Sequence, residues 1–92
     1  MYISVDESQM SVFFLDCFRF CMNDTEYNVV LNKRDLDVYE YEIWKRDNRK
    51  MSLVTIVSLS LDEFKEYYYA DERTTNFDII NKVIVPEIKK MR

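Results

Sequence analysis

The sequence predicts a single α+β domain over residues 1–92, in which a three-stranded antiparallel sheet packs with an N-terminal helix and two C-terminal helices. Two observations predict this fold. Apolar and polar residues alternate between Tyr27 and Leu59, which is the period of β-strands. On both sides of this stretch, apolar residues recur every three or four positions, which is the period of helices. A hydrophobic fraction of 48% supplies enough apolar side chains for a core.

The first predicted element is a helix over residues 7–22. Asp6 and Gln9 have the spacing of a capping box, with Asp in place of Ser or Thr. The residues at the helical period, which are predicted to face the core, are Met10, Phe13, Phe14, Cys17, Phe18 and Cys21. The many aromatic residues over 12–20 are also compatible with a strand, so the sequence leaves both structures open for this segment.

Three strands follow, over residues 27–32, 37–45 and 51–59, as an antiparallel meander with the second strand at its centre. Residues 33–35 are predicted to form the first turn. The chain contains no glycine, so we expect the positive φ of the second turn to fall on Asp47-Asn48.

The third strand is predicted to be apolar on both of its faces. Leu53, Val57 and Leu59 alternate on one face, and Val54 and Ile56 lie on the other. An edge strand of this kind needs a cover for its second face, which the N-terminal segment or a second subunit would supply. Since small domains also bury proportionally little surface, the sequence predicts a homodimer.

The helix after the third strand carries the aromatic candidates for binding. Ser60 and Glu63 form a capping box that predicts a helix over residues 61–70. Three consecutive tyrosines, from Tyr67 to Tyr69, project about 100° apart on such a helix, so at least one ring is exposed. Tyr67 and Tyr69 are therefore candidate interface residues, and the alternative is a tyrosine at the edge of the core with a solvated hydroxyl.

The last helix is predicted to be irregular. Thr75 and Asp78 give a weak start signal for it. Its apolar stripe consists of Phe77, Ile80, Ile84, Ile88 and Met91. Because Pro86 lacks an amide proton and clashes with the preceding turn, we expect a kink near Lys82 or a break before Pro86.

The composition argues against catalysis, cofactors and metals. The chain contains no His, which removes the usual base at neutral pH, and the absence of Gly excludes glycine-rich phosphate loops. Cys17 and Cys21, at C-x₃-C spacing, supply too few ligands for zinc. We predict that both thiols are reduced and buried on one face of the first helix. The sequence thus predicts a non-enzymatic protein without cofactor or metal.

The charge balance points to a protein partner. A net charge of −4 disfavours direct binding to nucleic acid or to an anionic membrane. Asp6 and Glu7 stand where a signal peptide would be positive, and no apolar run approaches the roughly 20 residues of a membrane span. We therefore expect a soluble cytoplasmic protein.

Nine acidic residues form the candidate binding surface. They are Asp35, Asp37, Glu40, Glu42, Asp62, Glu63, Glu66, Asp71 and Glu72. Glu40 and Glu42 share one face of a strand at a spacing of about 6.6 Å, which is comparable to the phosphate repeat along a DNA strand. Carboxylates at this spacing can imitate nucleic acid and occupy the basic groove of a DNA-binding protein. The alternative is an ordinary acidic surface.

In its length, acidity, aromatic content, lack of catalytic motifs and abundance of Asn, Asp, Lys, Tyr and Ile, the chain resembles the small early inhibitor proteins of bacteriophages. Within that class it is most similar to the anti-restriction nuclease (Arn) proteins of T-even phages, which are DNA mimics. The resemblance implies evasion of host defence: a dimer in the host cytoplasm that blocks a restriction nuclease or a nucleoid protein.

Two other classes remain open. One is a shape-based protein–protein inhibitor or adaptor, of the anti-CRISPR or transcription-takeover type, that uses an aromatic and mixed-charge patch. The other is a small structural or assembly protein, which would self-associate without a host partner.

Overall fold

A five-stranded antiparallel sheet is the main element of the chain. The computed structural model describes residues 10–14, 17–34 and 37–91, and for residues 11–14 and 33–34 it describes the strand backbone alone. The strands are β1 (Met10–Phe14), β2 (Cys17–Met22), β3 (Thr25–Arg34), β4 (Val38–Asp47) and β5 (Lys50–Ser60). Each strand pairs with the next one in sequence, so the sheet is a simple meander with β1 and β5 at its edges.

The molecule is α+β, but the predicted three-stranded sheet with an N-terminal helix is wrong. Where the predicted helix falls on described residues, the chain forms β1 and β2 instead. Phe18, Phe20 and Met22 alternate into the core, and pairing with β3 places Phe20 opposite Tyr27. The aromatic side chains of this segment fit both periods, and their packing against β3 favours the strand. Residues 1–9 and 15–16, including the predicted cap at Asp6, lie outside the described residues.

Two tight turns use Asn and Asp in the left-handed conformation. Asn23 and Asp24 connect β2 to β3 with φ of 51° and 62°, which matches the two positive φ angles of a two-residue hairpin turn. Between β4 and β5, Asn48 has a φ of 57° as predicted, whereas Asp47 is the last residue of β4. The predicted turn at residues 33–35 is wrong for Lys33 and Arg34, which still belong to β3, and Asp35 lies outside the described residues.

A bulge in β5 changes which side chains share a face. Ile43 pairs with Thr55, but Trp44 pairs with Leu53, so Val54 is an extra residue in the ladder. Leu53 therefore lies on the same face of the sheet as Ile56, and not with the buried Val57 as the alternation predicts.

Helix α1 (Leu61–Tyr67) begins at the predicted capping box. The Ser60 Oγ accepts the Glu63 N–H at 3.1 Å, and the Glu63 Oε1 accepts the Ser60 N–H at 2.9 Å. The helix ends three residues before the predicted end, and Tyr68 already has an extended backbone.

Helix α2 (Glu72–Ile79) starts earlier than the predicted signal at Thr75. The Asp71 carboxylate caps it by accepting the Arg73 N–H at 3.2 Å and the Thr74 hydroxyl at 2.9 Å. Thr75 is buried inside the helix, where its hydroxyl accepts the Tyr69 N–H at 2.8 Å. Thr75 therefore does not cap the helix. Its hydroxyl instead holds the loop that precedes the helix.

The C-terminal helix continues past Pro86 without a break. A π-helical segment (Ile80–Ile84) joins α2 to α3 (Val85–Lys90), with Pro86 in the first turn of α3. The π-helical segment directly precedes the turn in which Pro86 removes a backbone donor. It takes the place of the predicted break. Ile80, Ile84 and Ile88 are buried as predicted, whereas Met91 is exposed.

The helices cover one face of the sheet and form the core with it. The inward side chains of the sheet are chiefly Phe18, Phe20, Met22, Tyr27, Val29, Tyr41, Ile43, Val57 and Leu59. Phe64 of α1 stacks on Tyr39 of β4 with ring centroids 4.2 Å apart, which fixes α1 on this face. Of the described helices, none is long and apolar enough to cross a membrane.

Candidate functional site: the open face of the sheet

The face of the sheet opposite the helices is the main candidate surface, and we call it the open face. The register of the strands assigns to it Cys17, Arg19, Cys21, Glu26, Asn28, Val30, Glu40, Glu42, Trp44, Arg46, Met51, Leu53, Ile56 and Ser58. No described helix covers it. Leu53 is 47% exposed, Ile56 46% and Met51 44%, so apolar side chains and charged groups share this surface.

Glu42 occupies the centre of the open face between two apolar neighbours. Val30 of β3 and Ile56 of β5 lie directly opposite it on its two sides. The Trp44 indole N–H donates to the Glu42 Oε1 at 3.1 Å. This hydrogen bond holds the carboxylate and the indole ring in one geometry, so that a partner would meet a positioned acid flanked by apolar surface.

Glu40 lies two residues before Glu42 on the same face, as the sequence predicts, and it is half-buried. Its neighbours in the register are Ser58 of β5 and Lys33 of β3. β4 therefore contributes two carboxylates to the open face.

Several predicted acids meet at the end of the sheet where β4 begins, which we call the acidic end. The Leu61 N–H donates to the Asp37 carbonyl at 2.9 Å, and this bond joins the start of β4 to the start of α1. Asp37, Asp62 and Glu63 are brought to this junction, and all three are exposed. Glu66 follows one turn along α1 and is exposed as well.

The remaining predicted acids do not join this group. Asp71 and Glu72 lie at the start of α2, in the layer of helices. Hydrogen bonds from the Thr74 hydroxyl and the Arg73 N–H lower the pKa of Asp71 below its usual value, which identifies this carboxylate as a helix cap. Asp35 lies outside the described residues. The predicted acidic surface is thus divided between the open face, the acidic end and α2.

The predicted aromatic site lies in the layer of helices. Tyr67 is half-buried against the core. The Tyr69 hydroxyl donates to the Asp78 carboxylate at 2.7 Å, and this hydrogen bond raises the pKa of Tyr69. Since its N–H also donates to Thr75, Tyr69 fastens the loop between α1 and α2.

The turn between β4 and β5 carries the opposite charge, and we call it the basic hairpin. Its cations are Lys45, Arg46, Arg49 and Lys50, all exposed. Arg46 Nη1 lies 3.6 Å from Glu26 Oε2 of β3. The length of β4 separates the basic hairpin from the acidic end by about 30 Å, so this part of the sheet has opposite charges at its two ends.

Cys17 and Cys21 are exposed on the open face, which corrects the prediction that they are buried on a helix. Four residues along a strand separate their Cα atoms by about 13 Å, beyond the span of a disulfide. Among the described residues, no cluster of three potential metal ligands occurs.

No protein-family model, curated protein sequence or solved structure matches the chain.

The sequence did not identify the apolar part of the open face. Leu53 and Met51 join Trp44, Val30 and Ile56 there because of the bulge at Val54, which alternation alone does not show. The sequence feature that could have indicated these apolar residues is the third predicted strand, which is apolar on both faces.

Proposed function

We propose that the protein is a non-enzymatic inhibitor that binds a host DNA-binding protein through the carboxylates of the open face and the acidic end. The observation that carries the proposal is the placement of Glu42, held by the Trp44 hydrogen bond, beside Glu40 on the face of the sheet that no described helix covers. The partner class is a restriction nuclease or a nucleoid protein with a basic DNA groove.

The exposure and spacing of the carboxylates support this proposal. Glu40 and Glu42 occupy alternate positions of β4, which is paired with a strand on each side, so their spacing of about 6.6 Å is set before binding. Asp37 and Asp62 extend the negative surface around the start of α1. A basic groove would therefore meet carboxylates that need little reorganisation, and the attraction would speed encounter at low salt.

Displacement of DNA is the direct test. The assay follows the fluorescence anisotropy of a labelled duplex bound to a purified nucleoid protein, while the inhibitor is added. We expect the double variant Glu40→Gln/Glu42→Gln to need about tenfold more protein for the same displacement, because two charge contacts are lost. The matched control is Glu72→Gln/Glu87→Gln, which removes the same charge from the layer of helices and should displace DNA like the wild type. Equal activity of the two double variants would refute the proposal.

The exposed apolar residues favour a second candidate function, a shape-based protein–protein inhibitor. Val30, Leu53 and Ile56 surround the Trp44–Glu42 pair and supply the apolar centre typical of protein interfaces. In that case Val30→Asn should weaken partner binding more than Glu40→Gln/Glu42→Gln, and added salt should change the affinity little.

A further inference from the structure

The outer edge of β5 is unpaired in the described structure. The Leu61 N–H donates to the Asp37 carbonyl, which marks Asp37 and Leu61 as a hydrogen-bonded pair of the antiparallel ladder. Bonded and non-bonded pairs alternate along such a ladder. The backbone N–H and C=O groups of Ile56 and Ser58 therefore point away from β4, toward the free edge.

Apart from the bulge at Val54, residues 51–61 of this edge lack the features that usually prevent strands from pairing. From Met51 to Leu61 the sequence contains no charged residue and no proline. The exposed Leu53 and Ile56 side chains border the same edge on the open face. The bulge at Val54 interrupts the regular ladder once and leaves residues 55–60 regular.

We propose that a second copy of this chain occupies the edge, with β5 pairing antiparallel to β5 of the second copy around a two-fold axis near Ile56. This axis places Ile56 opposite Ile56 of the second copy. With Val54 bulged out, it also places Leu53 opposite Ser58 and Lys50 opposite Leu61 of the second copy. Every one of these cross-strand pairs joins residues of the same face, as a continuous sheet requires.

The charges at the two ends of β5 favour antiparallel pairing with β5 of a second copy. Arg49 precedes β5 in the basic hairpin, and Asp62 follows it in the first turn of α1. The same register brings Arg49 beside Asp62 of the second copy, and the two-fold axis makes this contact twice. A strand that is basic at its start, neutral from Met51 to Ser60 and acidic after its end is complementary to itself only when antiparallel.

The dimer goes beyond the proposed inhibition and does not depend on it. Edge pairing extends the sheet to both copies and leaves Glu40, Glu42 and Trp44 of each copy on the open face. Asp62 belongs to both surfaces, but Glu40 and Glu42 lie outside the contact between the copies. DNA displacement by Glu40→Gln/Glu42→Gln and dimer mass therefore report on different surfaces.

Sedimentation equilibrium between 1 and 100 μM, on the order of the concentrations at which moderate interfaces assemble, measures the dimer. We expect a dimer mass for the wild type. Arg49→Glu and Asp62→Arg should each raise the dissociation constant at least about tenfold, because each creates two like-charge contacts. The double variant Arg49→Glu/Asp62→Arg should regain dimerisation, since it restores both contacts with the signs exchanged. Lys90→Glu, an exposed charge reversal on α3, is the control and should dimerise like the wild type.

Two further measurements test the position of the axis. Ile56→Lys should abolish the dimer, because the two new cations would face each other, and circular dichroism should show the fold intact. The amide protons of Ile56 and Ser58 should exchange more slowly as the wild-type concentration rises. A monomer at 100 μM, or a dimer that survives both Ile56→Lys and Arg49→Glu, would overturn the proposal.

Discussion

Replacing Phe20 by alanine tests the largest correction to the predicted fold, the presence of a core strand at β2. Phe20 is 1% exposed, and its ring stacks on Tyr27 with centroids 5.2 Å apart and an interplanar angle of 18°. Removing a buried phenylalanine ring costs about 3–5 kcal/mol, of which the aromatic pair supplies about 0.5–1.5 kcal/mol. Domains of this size are stable by roughly 5–14 kcal/mol, so the loss is a large fraction of the total.

Urea unfolding followed by circular dichroism and Trp44 fluorescence, at one protein concentration, measures this loss. Phe20→Leu should recover much of the stability, because it keeps most of the apolar volume. Cys21→Ser, on the open face of the same strand, is the control and should change the free energy of unfolding by less than about 0.5 kcal/mol. A helix at residues 7–22 predicts the reverse, since Phe20 lies outside its apolar stripe and Cys21 lies within it. A larger cost for Cys21→Ser than for Phe20→Ala would refute the strand.

The remaining predictions concern the helix caps and the loop between α1 and α2. Ser60→Ala removes the hydroxyl that accepts the Glu63 N–H, and thermal unfolding should show a loss of about 1 kcal/mol; an unchanged midpoint would contradict the role of the capping box. The pKa of Asp71 is lower in the folded than in the unfolded chain, so its hydrogen bonds contribute stability above the ordinary pKa of 3.8, and this contribution is lost as the pH falls through the folded pKa. The thermal midpoint of Asp71→Asn should therefore depend less on pH in this acid range than that of the wild type. The hydrogen bond to Asp78 raises the pKa of Tyr69 above 10.0, so in Asp78→Asn the phenolate absorbance of one tyrosine should appear at lower pH than in the wild type.

Much of the C-terminal two thirds of the fold could be predicted from the sequence. Tyr27, Tyr41 and Ile43 alternate into the core as the period of two predicts. β3 and β5 contain the first and third predicted strands, and β4 begins one residue after the predicted start of the second. The Ser60–Glu63 capping box is a local interaction between residues three apart, which explains why the start of α1 was predicted correctly.

The N-terminal strands could not be predicted with the same rules. Phe14, Cys17, Phe18 and Cys21 recur at a helical spacing, while Phe18, Phe20 and Met22 recur at a strand spacing. Whether this segment forms a helix or a strand depends on β3, because Tyr27 and Val29 lie opposite the aromatic residues of β2. Such contacts between strands cannot be read from a local sequence pattern.

The candidate site was predicted in part. Glu40 and Glu42 share one face of β4 because alternation along a regular strand determines it. The presence of Leu53 and Met51 on this face depends on the bulge at Val54, which reverses the face of both residues. The alternation of apolar and polar residues does not reveal such a bulge. The acidic end forms because α1 follows β5 directly and so begins beside the start of β4, where the Leu61 N–H donates to the Asp37 carbonyl.

The indole N–H resonance of Trp44 tests most directly whether the open face is the binding surface. The chain contains one tryptophan, so the ¹⁵N–¹H spectrum has one indole signal. Its proton lies in the hydrogen bond to Glu42 at the centre of the open face. If the proposed function holds, addition of a nucleoid protein should shift or broaden this signal in proportion to the fraction bound. An indole signal that stays unchanged at saturation, while amide signals of α2 or α3 move, would contradict binding through the open face.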